Sequence, residues 1–145
     1  NDQNPLLFHQ KPQGMPRWIG CFSLLSFKVT SIHMRPYISI TGLKPKGVIG
    51  FFKFWRLAIP SFEQARKAKG NTFCEVKRIK GYQYTLTAWA SREDMLVFFR
   101  SAVHVKAMKA FPMIASGRTY GFEADSIPTW EEAFTLLQEK GKVYD

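Results

Sequence analysis

From Tyr37 onward the chain switches between stretches of period two and stretches of helical period. Residues 37–41 alternate (Tyr-Ile-Ser-Ile-Thr) and end at Gly42, which predicts a short strand, and Lys44-Pro-Lys-Gly47 reads as a turn. Over residues 48–59, apolar side chains occupy most of the helical circumference, and Lys53 and Arg56 are confined to one wedge. This predicts a heavily buried helix. Pro60 is expected to break or kink it. Ser61, with Gln64 three residues on, is expected to cap a continuation over 62–69 closed by Gly70. Residues 72–79 and 82–89 read as two strands joined by a tight turn at Lys80-Gly81, the second rich in β-branched and aromatic residues. Ser91 and Asp94 mark a helix start; that helix is expected to run to about Phe111 and stop before Pro112. Residues 118–125 read as a fourth strand. Thr129 caps a last helix over 130–140, with Glu131 and Glu132 in its first turn and Gly141 at its end.

The resulting order is β-α-β-β-α-β-α, an α+β pattern. Without the last helix it is the split βαββαβ arrangement of a ferredoxin-like fold, an antiparallel sheet with both helices on one face. Alternation divides the strands into two sets. Ile38, Ile40, Cys74, Val76, Tyr84, Leu86, Tyr120 and Phe122 are strongly apolar and are expected under the helices. The other set is mixed but includes Phe73, Ile79 and Trp89. A bare face with those side chains invites burial against a second copy, so a homodimer with sheets packed face to face is expected.

The 145 residues suit one domain. At 46% hydrophobic and 15% aromatic, with 13 Phe, the chain is no disordered polyelectrolyte. Two cysteines are too few for a disulfide framework or a cysteine-based zinc site, and they fit a reducing, cytoplasmic location. The net charge of +10 is uneven. Residues 34–81 hold eleven cations against Glu63 and Glu75, whereas residues 82–145 hold seven cations against eight anions. Such a basic surface suits an anionic membrane or nucleic acid, or is simply a solvated face. With no nucleic-acid motif, nucleic acid is not the expected partner.

Residues 1–33 read as an N-terminal extension and residues 34–145 as the domain. Pro5, Pro12, Gly14 and Pro16 punctuate the first stretch. The apolar run from Trp18 to Phe27 is ten residues, short of the roughly 20 that span a bilayer, and no small-residue cleavage site follows it.

The run from Tyr84 through Trp89 to Ser91-Arg-Glu-Asp-Met95, then Phe98, His104, Ala107-Met108 and Pro128-Thr-Trp130-Glu-Glu-Ala133, resembles the dimeric α+β-barrel superfamily. Within it the chain is similar to antibiotic-biosynthesis-type and spheroidene-monooxygenase-like proteins, over about residues 35–140. The resemblance implies a homodimer with a pocket between sheet and helices for a small apolar aromatic or polyene ligand. It also allows oxidation of that ligand, either without a cofactor or with haem.

His104 is the only histidine of the domain and the candidate catalytic residue, as general base or haem ligand. On a continuous helix from Glu93 it falls on the side away from the Met95, Phe98, Phe99 and Ala102 stripe, beside Val97, Arg100 and Met108. A functional role then requires a kink near Ser101; otherwise His104 is a surface residue near a helix end. Candidate ligand-binding residues are Trp89, Trp55, Phe99, Arg100, Met108 and Arg118. Trp89 lies either in the dimer interface or in a pocket wall. Trp55, with Phe51, Phe52 and Phe54, reads first as core and second as a lipid-interface cluster flanked by Lys53 and Arg56. Arg118 suits a substrate carboxylate or a structural pair with Glu123 or Asp125. Cys74 reads as a small hydrophobe. No phosphate-binding glycine loop, zinc-protease motif or nucleophile elbow is present, and no metal site is expected.

Overall fold

The computed structural model describes residues 35–145, so the expected extension and its apolar run lie outside the described residues. The elements are β1 (Tyr37–Pro45), α1 (Gly47–Lys67), β2 (Asn71–Ile79), β3 (Tyr82–Trp89), α2 (Arg92–Phe99), α3 (Ala102–Ile114), β4 (Ala115–Glu123), α4 (Trp130–Lys140) and β5 (Lys142–Tyr144). The sheet has the order β2-β3-β1-β4-β5 with every neighbouring pair antiparallel. This is the expected ferredoxin-like α+β fold, with α4 and β5 appended.

Local chemistry explains most boundaries. Lys80 and Gly81 both take positive φ (50° and 82°), the two-residue turn whose twist suits the β2–β3 hairpin. Ser91 Oγ accepts the Asp94 amide at 3.1 Å and starts α2. Thr129 and Glu132 form a reciprocal capping box at the start of α4. Gly42 does not end β1; it sits inside the strand, where a Cβ would stand 2.6 Å from the Tyr84 ring and 3.0 Å from Leu137. Glycine is there so that α4 and Tyr84 can approach the backbone.

Four expectations about helices are corrected. Pro60 does not break α1, which runs unbroken through it. Its side chain is exposed, so the missing hydrogen bond falls on the solvent side while Phe54, Ser61 and Ala65 hold the buried side. Ser61 is consequently mid-helix and caps nothing. The long helix expected over 92–111 is two helices, interrupted at Arg100-Ser101, and α3 continues through Pro112 to Ile114. Replacing Pro60 by Ala restores the amide donor without touching the core. It is expected to stabilise the fold by about 1–2 kcal/mol in urea unfolding, less than the full proline penalty because the unfolded chain also gains freedom.

α1 is also much less buried than its composition predicts. Its buried residues are Gly50, Phe54, Ser61 and Ala65, whereas Val48 (74% exposed), Ile49, Phe52 (68%) and Ile59 face outward.

The largest correction concerns the two faces of the sheet. Ile38, Ile40, Leu86 and Ala88 pack against Ala133 and Leu137 of α4, with Phe73, Tyr84, Tyr120 and Phe122 around them. The strongly apolar face therefore lies under the C-terminal helix. The face bearing Ser39, Thr41, Leu43, Thr85, Thr87 and Trp89 lies under α1, α2 and α3, joined there by the Phe54, Ile114 and Ala115 cluster. The two-residue turn sets the β2 register, so Val76 pairs with Thr85 and Cys74 with Thr87, and an irregularity between Asn71 and Phe73 offsets only the start of the strand. Cys74 and Val76 belong to this second face, and Phe73 to the first.

Candidate active site between the sheet and helices α1 to α3

Trp89 closes β3 and is only 1% exposed, under the helices and not on a bare face. Its indole Nε1–H donates to Thr87 Oγ1 at 3.0 Å, and Thr87 Oγ1 donates to the Ser39 carbonyl at 3.3 Å. The buried indole thus has its one donor satisfied on its own strand. Its ring stacks on Phe98 of α2, with centroids 5.3 Å apart and planes 22° from parallel.

Phe98 in turn packs against His104, 4.6 Å between centroids, and Phe99 lies 5.4 Å from the same imidazole. Both contacts exist because the helix breaks. Ser101 Oγ accepts the His104 amide and restarts the chain as α3, which swings His104 back toward α1 and α2. The kink near Ser101 that a functional His104 requires is present. Across the gap, Ser61 Oγ of α1 lies 2.9 Å from His104 Nδ1, and Ser101 Oγ donates to Gln64 Oε1 at 2.9 Å. One turn of α1 therefore presents two polar side chains to the α2–α3 corner.

Burial pushes the His104 pKa below its usual value, so the ring is neutral at neutral pH. The Ser61 hydroxyl is able to accept from Nδ1 or donate to it, so the tautomer sets the two nitrogens' roles. When Nδ1–H donates to the serine oxygen, Nε2 is left as an acceptor, the arrangement of a general base. Cys74, on the same face, has its thiol pushed up to about 11 by burial, partly offset by the nearby Arg66 charge. It stays a thiol, as the small-hydrophobe reading expects.

The remaining candidates disperse. Phe99 and Met108 lie on α2 and α3 near His104, Phe99 touching it, whereas Arg100 is the exposed C-cap of α2. Trp55 belongs to a separate α1–α3 cluster with Phe51 and Phe54. Arg118 lies in β4 on the α4 side, where it donates to the Gln138 carbonyl at 2.6 Å. Neither of its expected carboxylates is its partner; Asp125 pairs with Arg35 at 2.8 Å. Ser61, Phe98 and Thr87 are the site residues that sequence reasoning missed. Ser61 was hidden by its cap-like spacing, and Phe98 by its place in an ordinary core stripe.

Two open cavities lie elsewhere. One of about 430 Å³ is bounded by Tyr82, Tyr84, Arg118, Phe134, Leu137 and Val143. The other, about 480 Å³, runs between α1 and α3. Neither is lined by His104 or Trp89. Among the described residues no cluster of His, Cys, Asp and Glu is able to hold a metal ion, and no helix is long and apolar enough to cross a membrane.

No protein-family model matches the chain, and no curated protein does. Solved structures do. SnoaB, a cofactor-independent oxygenase from Streptomyces nogalater, superposes with a TM-score of 0.53 at 9% identity, over 66% of this chain and 99% of its own. A candidate antibiotic biosynthesis monooxygenase from Nitrosomonas europaea gives 0.54 at 14% identity, over 64% and 91%. A conserved protein of unknown function from Bacteroides thetaiotaomicron, described as a possible oxidoreductase, gives 0.55 at 11%, over 63% and 99%. The chain shares the ferredoxin-like fold of these structures, as the resemblance around Trp89, Ser91 and Trp130 implied.

Proposed function

We propose that this chain binds a flat apolar aromatic or polyene ligand between the threonine-bearing sheet face and helices α1 to α3, and oxidises it with O₂ without a bound cofactor. The observation that carries this reading is the continuous contact Trp89–Phe98–His104–Ser61. Phe98 stacks on the buried indole as a flat ligand would. The helix that carries it, α2, has no buried residue, so few contacts oppose its displacement.

In that space His104, kept neutral by burial, removes a proton from the ligand. The ligand anion passes one electron to O₂, the ligand radical and superoxide combine as a peroxide anion on the same carbon, and the proton held on His104 returns to it to give the hydroperoxide. Loss of water then leaves a carbonyl, so one oxygen atom enters the product and the other leaves as water. The likeness in fold to a cofactor-independent oxygenase supports a reaction of this type.

Haem on His104 is the weaker reading. Ser61 engages Nδ1, and two phenyl rings flank the imidazole, so a macrocycle approaching Nε2 would have to displace them. A second reading, binding without turnover, is favoured by Phe98 already filling the space beside Trp89. Oxygen uptake by protein treated with chelator, in the presence of electron-rich naphthols, separates the three. Uptake without a Soret band supports the proposal, uptake only with a Soret band supports haem, and saturable binding with no uptake supports a binding protein.

The protein is also expected to be a homodimer. The occupant we infer for the half-buried Phe73, Tyr84, Tyr120 and Phe122 around α4 is the same face of a second copy. Sedimentation equilibrium at micromolar concentration should give twice the chain mass, and a monomer there would remove the dimeric barrel.

A further inference from the structure

Along α1, Val48, Phe52, Trp55 and Ile59 are spaced i, i+4, i+7 and i+11, one row on the helix surface. Ile49, Lys53 and Arg56 form the adjacent row at the same spacing. Across a groove, Lys106, Ala110 and Met113 of α3 repeat it, and Lys46 closes one end. The apolar members are not core: Val48, Ile49, Phe52, Ile59 and Met113 (77%) are largely exposed. The charge is of one sign. No Asp or Glu occurs over residues 36–62 or 95–114, and no salt bridge among the described residues involves Lys46, Lys53, Arg56, Lys106 or Lys109.

We propose that this α1–α3 surface docks on an anionic lipid bilayer. Large apolar side chains standing among unpaired lysines and arginines are what an interfacial helix presents to acyl chains and acidic headgroups. A single anionic amphiphile in the groove would leave Val48, Phe52 and Ile59 in water, because none of them lines it. A polyanion such as nucleic acid would use the cations but leave the same row uncovered. Only an extended surface takes both rows at once. The surface is separate from the His104 site, so this inference does not depend on the proposed chemistry.

The full chain should co-sediment with phosphatidylglycerol–phosphatidylcholine vesicles and much less with pure phosphatidylcholine. Lys53→Glu with Arg56→Glu should weaken partitioning by more than about tenfold. Phe52→Ser with Ile59→Ser should weaken it comparably, with a residual that high salt removes. All four positions are exposed, and unchanged thermal melts will confirm the fold. Failure of the native chain to bind anionic vesicles would overturn the proposal. So would full binding by the serine variant, since contact through charge alone is what duplex DNA would also give.

Discussion

Trp89→Ala should be among the most destabilising single substitutions in this domain, lowering stability by about 3–5 kcal/mol. The indole is 1% exposed, stacks on Phe98 and donates to Thr87. Truncation opens a cavity on the sheet, removes the stacking partner that fixes Phe98, and thereby loosens the packing around His104. Such a loss is a large part of the roughly 5–15 kcal/mol that a domain of this size commands, so the alanine variant is at risk of unfolding outright. Trp89→Phe keeps a ring for Phe98 and gives up only part of the volume and one hydrogen bond. Its cost should be nearer 1–2 kcal/mol. Urea midpoints with an unchanged slope would measure both. A loss below 1 kcal/mol for the alanine variant would mean that the indole is not packed as described.

His104→Gln should lower turnover by about 10²–10⁴-fold under the proposed chemistry, the range general-base removal produces. The amide preserves a polar partner for Ser61 and removes the base, so ligand binding should survive. The same variant has a signature that does not depend on activity. Burial holds the folded-state pKa of His104 below its unfolded value of about 6.5. The unfolded chain therefore takes up the proton first. The stability contributed by the neutral ring is fully present above pH 6.5 and is lost as pH falls from there toward the folded-state value. The native protein should lose stability over that interval, and His104→Gln should lose less. Equal losses in both proteins would place the imidazole in solvent.

What the sequence made legible was local. The Lys80-Gly81 turn and the caps at Ser91 and Thr129 rest on neighbours a few residues apart, and all three are present. The choice of face was not legible, because alternation reports that two faces differ and says nothing about which helix covers which. The apolar Ile38, Ile40 and Leu86 face is covered by an eleven-residue terminal helix carrying Ala133 and Leu137. The threonine-rich face went to the longer helices and holds the candidate site. Cys74 and Val76 fall on the threonine face because the two-residue Lys80-Gly81 turn pairs them with Thr87 and Thr85, a register that counting back from the turn makes readable and that alternation within β2 alone does not. The sequence leaves His104 between two readings, a surface residue or a packed one behind a kink near Ser101, for a similar reason. A continuous helix turns it away from Phe98, and only the restart at Ser101 turns it back. A serine inside an apolar helical run, able to compete for backbone amides, was the available clue. Hydropathy likewise overstated the burial of α1, since Val48 and Phe52 look the same in a sequence whether they meet a core or stand exposed.

Ligand is expected to bind on the Trp89–His104 side of the sheet and not in the cavity beside Tyr84 and Arg118. The most direct test is an NMR titration of the full chain with 2-naphthol, following indole, imidazole and methyl signals. Saturable shifts are expected at the Trp89 indole N–H, the His104 ring and Met108, with Leu137 and Val143 unmoved. Shifts confined to Leu137, Val143 and the tyrosines around Arg118 would contradict this expectation.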